Sequence, residues 1–190
     1  MKKNFVIAIW FTLVTTVLFG LVYPLVVTGL SQLLFPAKAG GQLIEKNGKV
    51  IGSRIIGQNF SGPGYFHSRP SAAGTGYDPT SSGSNNLAPT NKALIDRVSA
   101  DVQKLHSENA SQPIPIDLVT NSGSGLDPDI SPASAEFQIQ RVARERHVST
   151  DELRSLVVKH TEGRQFGFLG EPRVNVLELN LDLDATHPSL

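Results

Sequence analysis

The residues of this chain that are best suited to chemistry lie in one short loop, residues 122–129. Its glycines, Gly123 and Gly125, leave backbone N–H groups bare, and successive bare N–H groups can hold an anion or a phosphate oxygen. Asp127 and Asp129 follow directly, and their carboxylates would repel a phosphate. The same glycines also suit simple turns before a helix. The loop therefore predicts either an anion or nucleotide site or a structural turn.

The same loop carries groups that could serve hydrolysis. Ser124, Asp127 or Asp129 would suit an enzyme outside the cytoplasm, since paired carboxylates act as acid and base when they face a cleft with separated pKa values. A G-x-S-x-G elbow is incomplete, because Ser122 takes the place of its first glycine. A calcium loop is not expected, because Pro132 stands where such a loop needs glycine. A signal-anchored periplasmic hydrolase remains an alternative function.

Other motifs for metals and phosphates are missing from the sequence. The five histidines have neither HxxxH nor HExxH spacing, and no G-x-x-x-x-G-K-[ST] loop occurs. No metal and no cofactor of the chain's own are therefore predicted. Three arginines share one predicted helix, and we interpret them as a solvated face, with an anion or partner site as the alternative. They are Arg141, Arg144 and Arg146.

The composition excludes several classes of protein. Seventeen Lys and Arg residues balance seventeen Asp and Glu residues, which argues against a nucleic-acid binder, since such a protein needs a clustered positive field. It contains no cysteine, which excludes disulfide frameworks, thiolate zinc sites and cysteine nucleophiles. Its 190 residues allow one domain plus an anchor.

The elements that must position these residues begin with a long apolar segment. Residues 5–30 carry no charge, and as a helix they extend about 39 Å, enough to cross a hydrocarbon core with some tilt or a kink at Pro24. A cleaved signal peptide is the alternative, although its apolar stretch is usually about 7–15 residues. Lys2 and Lys3 favour a cytoplasmic N-terminus. We therefore predict a retained anchor over residues 1–35 and an extracytoplasmic domain over residues 36–190.

The predicted anchor has a four-residue repeat of small residues and proline. Small residues at this spacing allow a second helix to approach closely within lipid. Alternatively, the threonines only bond back to carbonyls four residues earlier. We define the repeat as the small-residue stripe; its members are Thr12, Thr16, Gly20, Pro24 and Thr28.

After the anchor, short strands and a long loop are predicted. Asn47-Gly48 between two apolar-containing runs is typical of a two-residue hairpin, and residues 54–56 predict another strand. Seventeen of the thirty residues in 61–90 are Gly, Pro, Ser or Asn, yet the stretch also has aromatic and basic side chains that a flexible linker does not need. We interpret it as an ordered binding loop, with a linker or a solute-binding module as alternatives. The candidate partner-contact residues are Tyr65, Phe66, Arg69, Pro70, Ser71, Asn85, Ser122, Gly123, Ser124, Gly125 and Asp127.

Helices and strands alternate in the remainder of the chain. Thr90, Ser131 and Ser149 are predicted to cap three helices, the second with Pro132 at its first position. Residues 174–183 alternate between leucine and polar side chains for most of their length and predict a half-buried strand. The fold class expected is α+β, or possibly α/β.

Several of these segments together resemble the C subunit of the Kdp-type potassium-transporting ATPase. The resemblance extends over nearly the whole chain, including the anchor, although Ala88 and Gln140 stand where glycine and proline are expected. The segments that carry it are residues 52–60, 65–66, 69–73, 82–85, 89–91, 117–120, 122–127 and 170–181.

This resemblance implies a function that the residues alone do not. It implies an accessory subunit of an ATP-driven potassium importer in the bacterial inner membrane. The partners it implies are a channel-like A subunit and a B subunit that hydrolyses ATP through an aspartyl-phosphate. It further implies a catalytic chaperone that raises the ATP affinity of the B subunit, so ATP is expected through the partner subunit.

Overall fold

The computed structural model describes residues 2–188 as two compact units, which divide between Ile51 and Gly52. The first unit contains one long helix, formed by α1 (Lys2–Val17), a π-helical turn (Leu18–Val22) and α2 (Tyr23–Leu34). It runs for 33 residues with a mean hydropathy of 2.4 in its most apolar window. By length and composition the helix is able to cross a membrane.

The π-helical turn has a chemical cause in Pro24. Proline has no backbone N–H and its ring collides with the carbonyl four residues earlier, which here belongs to Gly20. The backbone widens instead, and the N–H of Tyr23 donates to the carbonyl of Leu18. In an α-helix a four-residue step overshoots one turn by about 40°, and a wider turn reduces that overshoot. The small-residue stripe is therefore straighter across Gly20 than in an uninterrupted α-helix.

A short helix and a hairpin complete the first unit. They are α3 (Pro36–Ala39), β1 (Leu43–Lys46) and β2 (Lys49–Ser53), the last of which ends in the second unit. Asn47 and Gly48 both have positive φ, at 53° and 72°, so the two-residue hairpin predicted from the sequence is confirmed.

The predicted strand at residues 54–56 is wrong. These residues form a turn in which the N–H of Ile56 donates to the carbonyl of Ser53 over 3.2 Å. The Ser53 hydroxyl accepts a further hydrogen bond from the Ile55 N–H. A short apolar pair such as Ile55-Ile56 does not specify a strand when a neighbouring serine offers the backbone a local acceptor.

The second unit is a small α+β domain, as the sequence predicts. Its three-stranded antiparallel sheet consists of β3 (Asp129–Ile130), β4 (Thr161–Glu162) and β5 (Arg173–Asn175) in the order β3-β5-β4, in which Ile130 and Thr161 both pair with Val174. The helices are α4 (Lys92–Glu108), α5 (Pro132–Arg146), α6 (Thr150–Lys159) and α7 (Val176–Thr186), with a 3₁₀ turn at Ile116–Leu118.

The core lies between α5, α6, α7 and β5. The buried faces of the three helices repeat at helical spacing, which is why these segments fold as helices against one sheet. Residues of α4, in contrast, all remain at least partly exposed. The core cluster consists of Phe66, Ile130, Ala135, Ile139, Val142, Ala143, Leu153, Val157, Val174, Val176, Leu179 and Leu183.

The helix starts largely match the sequence prediction. The hydroxyl of Ser131 accepts from the Ser134 N–H, and Ser149 forms a complete capping box with Glu152. The first of the three helices begins one residue later than predicted, because the side chain of Asn91 accepts from the backbone and Thr90 does not cap it. Local hydrogen bonding of short polar side chains decides each start.

The half-buried strand predicted for residues 174–183 is also wrong. Only Arg173–Asn175 is a strand, and α7 begins at Val176, where the Asn175 side chain caps it by accepting from the Glu178 N–H. Buried positions recur three, four and seven residues apart, as in Val176, Leu179 and Leu183. The leucine alternation concealed this helical period because the helix is buried on more than one side.

Candidate functional site

The two loops that the sequence singles out, residues 61–90 and 122–129, lie against each other, and we call them the paired loops. The guanidinium of Arg69 pairs with the Asp127 carboxylate at 2.9 Å. It also donates to the carbonyl of Asn121 and, at 3.4 Å, to the hydroxyl of Thr120. In return the side chain of Asn121 donates to the carbonyl of Pro70. Arg69 therefore connects the long loop both to Asp127 in the short loop and to the two residues directly before the short loop.

Ser71 forms a second connection between the paired loops. Its hydroxyl donates to the carbonyl of Gly125 at 2.6 Å and accepts from the N–H of Tyr77 at 2.8 Å. Tyr77 has a φ of 57°, an uncommon conformation for a bulky residue. Its hydroxyl donates to the carbonyl of Arg69, so hydrogen bonds at both ends of the residue stabilise this conformation.

A glycine is required where the paired loops approach most closely. Gly125 has a φ of 68°, and a Cβ atom there would lie 2.6 Å from the carbonyl oxygen of Gly83 and 2.7 Å from the Ala73 nitrogen. The neighbouring carbonyl of Ser124 accepts from the N–H of Gly83 at 2.7 Å. Gly123 has open space around it. The two glycines of the short loop therefore have different structural roles.

Two buried side-chain amides hold residues 66 and 67 in place. Asn180 accepts from the N–H of Phe66 and donates to its carbonyl, both at 2.9 Å. Gln138 does the same for His67, at 2.7 Å and 3.1 Å. The two amides replace the partners that a neighbouring strand would supply, so the backbone polar groups of this buried segment are satisfied.

Two arginines of α5 hold residues 63–65. Arg141 donates to the carbonyls of Pro63 and Tyr65, and Arg146 donates to the carbonyl of Gly64 at 2.8 Å. The Arg146 guanidinium also lies 4.4 Å from the centre of the Tyr65 ring. The side chains of Arg141 and Arg146 are only 6% and 2% exposed.

The interpretation of the arginine cluster as a solvated face is therefore wrong for two of its three members. Arg144 is exposed, as expected, and pairs with Glu145. Arg141 pairs with Glu108 and Arg146 with Asp184, which compensates the charge that each brings into the protein. Burial lowers the pKa of Arg141, and Glu108 opposes this effect. Sequence spacing alone does not reveal these partners, because they lie in distant segments.

The candidate partner-contact residues differ in how much of them is accessible. Phe66 is completely buried in the core. Tyr65, Arg69, Pro70, Ser71 and Asp127 are partly buried, whereas Ser122 and Gly125 are buried. Asn85, Gly123 and Ser124 are exposed. Contact with a partner stays a prediction, and in this structure the exposed residues are the ones able to make it directly.

In the loop at 122–129, several groups that anion binding or catalysis would need already have partners within the domain. The N–H of Gly125 donates to the hydroxyl of Ser122 at 2.9 Å, and the N–H of Leu126 donates to that of Ser124 at 3.1 Å. Two N–H groups that would have held an anion are thus already bonded. Asp127 pairs with Arg69, so one of the two candidate carboxylates is also occupied.

Asp129 occupies a different environment from Asp127. It pairs with Arg173 at 3.1 Å and accepts from the side-chain amide of Asn175. Burial raises the pKa of Asp129, with Arg173 opposing and the nearby charge of Asp127 adding to the rise. These contacts join β3 to β5, so the carboxylate stabilises the sheet.

A cleft of about 360 Å³ lies beside the paired loops, between α4 and residues 59–77. Its lining mixes charged, aromatic and apolar groups, including Phe60, His67, Arg69, Tyr77, Lys104 and Glu108. The Nε2–H group of His67 donates to the carbonyl of Gly62 at 2.9 Å, since a carbonyl oxygen can only accept. Burial, followed by the charge of Arg141, lowers the pKa of His67. The histidine is therefore held in its neutral form at neutral pH.

Sequence reasoning missed the structural roles of four residues that organise this region, namely Gln138, Asn180, Arg141 and Arg146. One signal was available for Asn180, which interrupts a leucine-rich run where an unpartnered polar side chain would be costly. It also missed the exposed aromatic hairpin between β4 and β5, for which Phe166-Gly167-Phe168 was a visible signal.

Comparison with known proteins identifies the family. Residues 5–185 match the family model described as KdpC, the c chain of K+-transporting ATPases. A potassium-transporting ATPase KdpC subunit from Koribacter versatilis is 64% identical, covering 99% of this chain and 97% of that protein. Those of Acidobacterium capsulatum and Methylobacterium nodulans are 56% and 54% identical, covering 95% and 89% of this chain and 97% and 90% of their own lengths. The chain therefore belongs to the KdpC family, the c chains of K+-transporting ATPases.

Proposed function

We propose that this chain is a non-catalytic accessory subunit of an ATP-driven potassium uptake complex and stabilises its assembly. Its partners are a channel-like subunit that conducts potassium and a subunit that hydrolyses ATP. The observation that carries this proposal is the family match over residues 5–185. A 33-residue apolar helix, which suits membership of a membrane complex, supports it.

The proposed location is the bacterial inner membrane, with a single span, a cytoplasmic N-terminus and an extracytoplasmic domain. Lys2 and Lys3 precede the apolar segment, and positive charge favours the cytoplasmic side. The domain is long enough to be translocated regardless of its own charge.

The absence of a catalytic role is part of the proposal. Asp127 and Asp129 are engaged by Arg69 and Arg173, and the Ser124 hydroxyl accepts from a backbone N–H. Because these groups are engaged in stabilising the fold, a structural role suits them better than catalysis. Nucleophilic catalysis would need a nucleophile within reach of a base.

The chain is further proposed to raise the ATP affinity of the hydrolysing subunit without holding ATP itself. A subunit that binds the ATP-binding conformation of its partner more tightly than another conformation raises the partner's affinity for ATP, and ATP raises the partner's affinity for the subunit by the same factor. An extracytoplasmic domain requires such an indirect mechanism, since ATP is cytoplasmic. ATP affinity of the complex with and without this chain, measured at equal amounts of the hydrolysing subunit, tests this step; equal affinities would refute it.

The exposed residues of the paired loops are proposed to contact the channel-like subunit, and the buried ones to hold them in place. Replacing Arg69 or Tyr65 with alanine should then loosen assembly, because Arg69 connects the two loops and Tyr65 lies under Arg146. Unchanged co-purification of both variants would remove the paired loops from the interface.

Co-purification and potassium uptake test the proposed function directly. Cells that lack this chain but keep its partners should grow poorly in low potassium, and the affinity-tagged chain should restore growth and retain two larger membrane subunits. A tagged chain that restores nothing and retains neither subunit would contradict the proposal.

A further inference from the structure

An exposed hairpin projects from the sheet between β4 and β5, and we call residues 163–172 the finger. All ten residues of the finger are exposed. Phe166 is 87%, Phe168 70% and Leu169 47% exposed. The finger thus presents two aromatic rings and a leucine at one tip, outside the core and outside the paired loops.

The finger is ordered by its own hydrogen bonds. Gln165 and Leu169 exchange both backbone hydrogen bonds at 2.9 Å, and the N–H of Gly167 donates to the carbonyl of Arg164 at 3.1 Å. Below the tip, Arg164 donates to both carboxylate oxygens of Glu171, at 2.8 Å and 2.7 Å. The apolar side chains are therefore held outward on a pre-formed support, which reduces the entropy lost on binding.

The conformation at the tip is costly for the isolated domain. Phe166 has a φ of 53°, a left-handed conformation that is an outlier for a bulky side chain. Its ring is exposed and gains little burial in return. Strain of this kind concentrates at functional sites, where a ligand or partner makes use of the strained group.

The charge around the tip favours a protein partner over a lipid surface. The finger contains one basic residue, Arg164, and one acidic residue, Glu171, which pair with each other, and no Lys, Trp or Tyr. At the base of the finger, Arg54 and Arg173 are both paired with Glu162. Membrane-binding segments use unpaired basic residues and interfacial Trp or Tyr. An aromatic centre within a neutral polar rim is instead the anatomy of a protein–protein interface.

We propose that the finger docks into an apolar pocket on the extracytoplasmic face of another subunit of the same transport ATPase, with Phe166 and Phe168 as its anchors. Large aromatic side chains that fill a pocket dominate the binding energy of such interfaces. This inference rests on the proposed function, because it requires the chain to assemble with other subunits. It assigns a contact to a segment outside the paired loops.

Cysteine labelling tests this contact, because the natural chain has no cysteine and one introduced thiol is therefore unique in this subunit. Gln165→Cys places the thiol beside the tip and leaves both anchors intact. Ile116→Cys is the control, since Ile116 is 75% exposed and lies outside the finger. In the assembled complex, an impermeant maleimide should label Gln165→Cys at least tenfold more slowly than in the free chain, whereas labelling of Ile116→Cys should change less than about twofold.

A double variant provides a second readout. Phe166→Ser with Phe168→Ser should reduce co-purification of the partner subunits at least tenfold and leave the thermal midpoint of the free chain unchanged, because both rings are exposed. The matched control is Ile95→Ser with Ile116→Ser, which removes two other exposed apolar side chains and should leave assembly unchanged.

Three results would overturn this inference, and they are distinguishable. Equal labelling of Gln165→Cys in the complex and in the free chain would show that the finger stays exposed. Protection of Gln165→Cys in vesicles of phosphatidylethanolamine and phosphatidylglycerol that contain this chain alone would assign the finger to lipid. Failure of the unmodified chain to co-purify with any subunit would contradict the proposed function itself, whereas the first two results leave that function intact.

Discussion

The paired loops and the finger both connect helices and strands of the domain, yet they differ in how far their aromatic side chains are engaged by the rest of the domain. Tyr77 in the paired loops and Phe166 in the finger are aromatic residues with nearly the same positive φ, 57° and 53°. Tyr77 is fixed by hydrogen bonds from both its backbone and its hydroxyl, whereas Phe166 exposes 87% of its surface. A strained aromatic residue therefore has a structural explanation in the first region and lacks one in the second. The comparison separates the buried residues of the paired loops, which stabilise the domain, from an aromatic tip that is available to a partner.

The largest loss of stability is expected from replacing Asn180, the buried side-chain amide that holds Phe66 of the paired loops. Asn180→Leu removes both partners of the Phe66 backbone, and each unsatisfied buried group costs about 1–3 kcal/mol. We expect the domain to lose about 3 kcal/mol of unfolding free energy, which lowers the thermal midpoint by roughly 10 °C. Asn85→Leu, at an exposed position of the same loops, should change stability by less than about 0.5 kcal/mol. Equal midpoints for both variants would mean that the paired loops do not depend on Asn180.

A smaller loss is expected at the point where the paired loops touch. Gly125→Ala places a methyl group 2.6 Å from the Gly83 carbonyl at a φ of 68°, so it should cost roughly 2 kcal/mol. Gly123→Ala, two residues away in open space with no positive φ, is the matched control and should be nearly neutral. Urea unfolding of both variants measures the difference. Loss of stability in the Gly123 variant alone would reverse our assignment of the two glycines.

The small-residue stripe should affect assembly without affecting either of the compared regions. A Cβ atom at Gly20 meets only an ordinary contact at 4.0 Å from Thr16 within the helix, so Gly20→Ile changes the helix surface more than its fold. We expect it to reduce co-purification about tenfold, since close helix packing in lipid needs small side chains. Leu18→Ile lies in the same π-helical turn and should assemble normally.

The alternative for the small-residue stripe is that threonines in this helix only bond back to carbonyls of the preceding turn. In the part of the chain that is described, Thr15 bonds back to the carbonyls of Phe11 and Thr12, and it lies outside the stripe. If Gly20→Ile assembles and transports as well as the parent, the helix acts as a tether and the domain alone holds the subunit in place.

The smallest expected effect is a pH dependence of the domain's stability that arises from His67 in the paired loops. Burial and Arg141 lower the pKa of His67 below its ordinary 6.5, so on acidification the unfolded chain takes up this proton before the folded one. Stability therefore falls as the pH drops through about 6.5 and continues to fall until the lowered folded-state pKa is reached. His67→Gln should reduce the loss of stability between pH 7.5 and 5.5, and the exposed His106→Gln should not. An unchanged pH profile of the His67 variant would contradict the neutral buried imidazole.

Local features of the fold were readable from the sequence, and long-range ones were not. The Asn47-Gly48 hairpin and the caps at Ser131 and Ser149 were predicted because a few neighbouring residues decide them. The start at Asn91 differed from the prediction by one residue, since Thr90 and Asn91 are both able to cap. The α+β class followed from the sum of such elements.

The errors arose where distant partners decide the structure. Helix α7 buries residues on more than one of its sides within the core, and a leucine alternation in the sequence does not reveal that environment. Arg141 and Arg146 are buried because the carbonyls of residues 63–65 and the carboxylates of Glu108 and Asp184 come to them. Composition predicted that residues 61–90 are an unusual loop, but only the fold distinguishes side chains that stabilise the domain from those left exposed.

Hydrogen exchange of the free chain and of the assembled complex, compared peptide by peptide, tests the account most directly. The N–H groups of Phe66, His67, Gly83 and Gly125 in the paired loops should be protected to the same degree in both states, since each already has a partner within the domain. The finger should exchange quickly in the free chain, because its few hydrogen bonds are exposed, and should gain protection only in the complex. Protection of these four N–H groups only on assembly, together with a finger that exchanges equally in both states, would contradict the account.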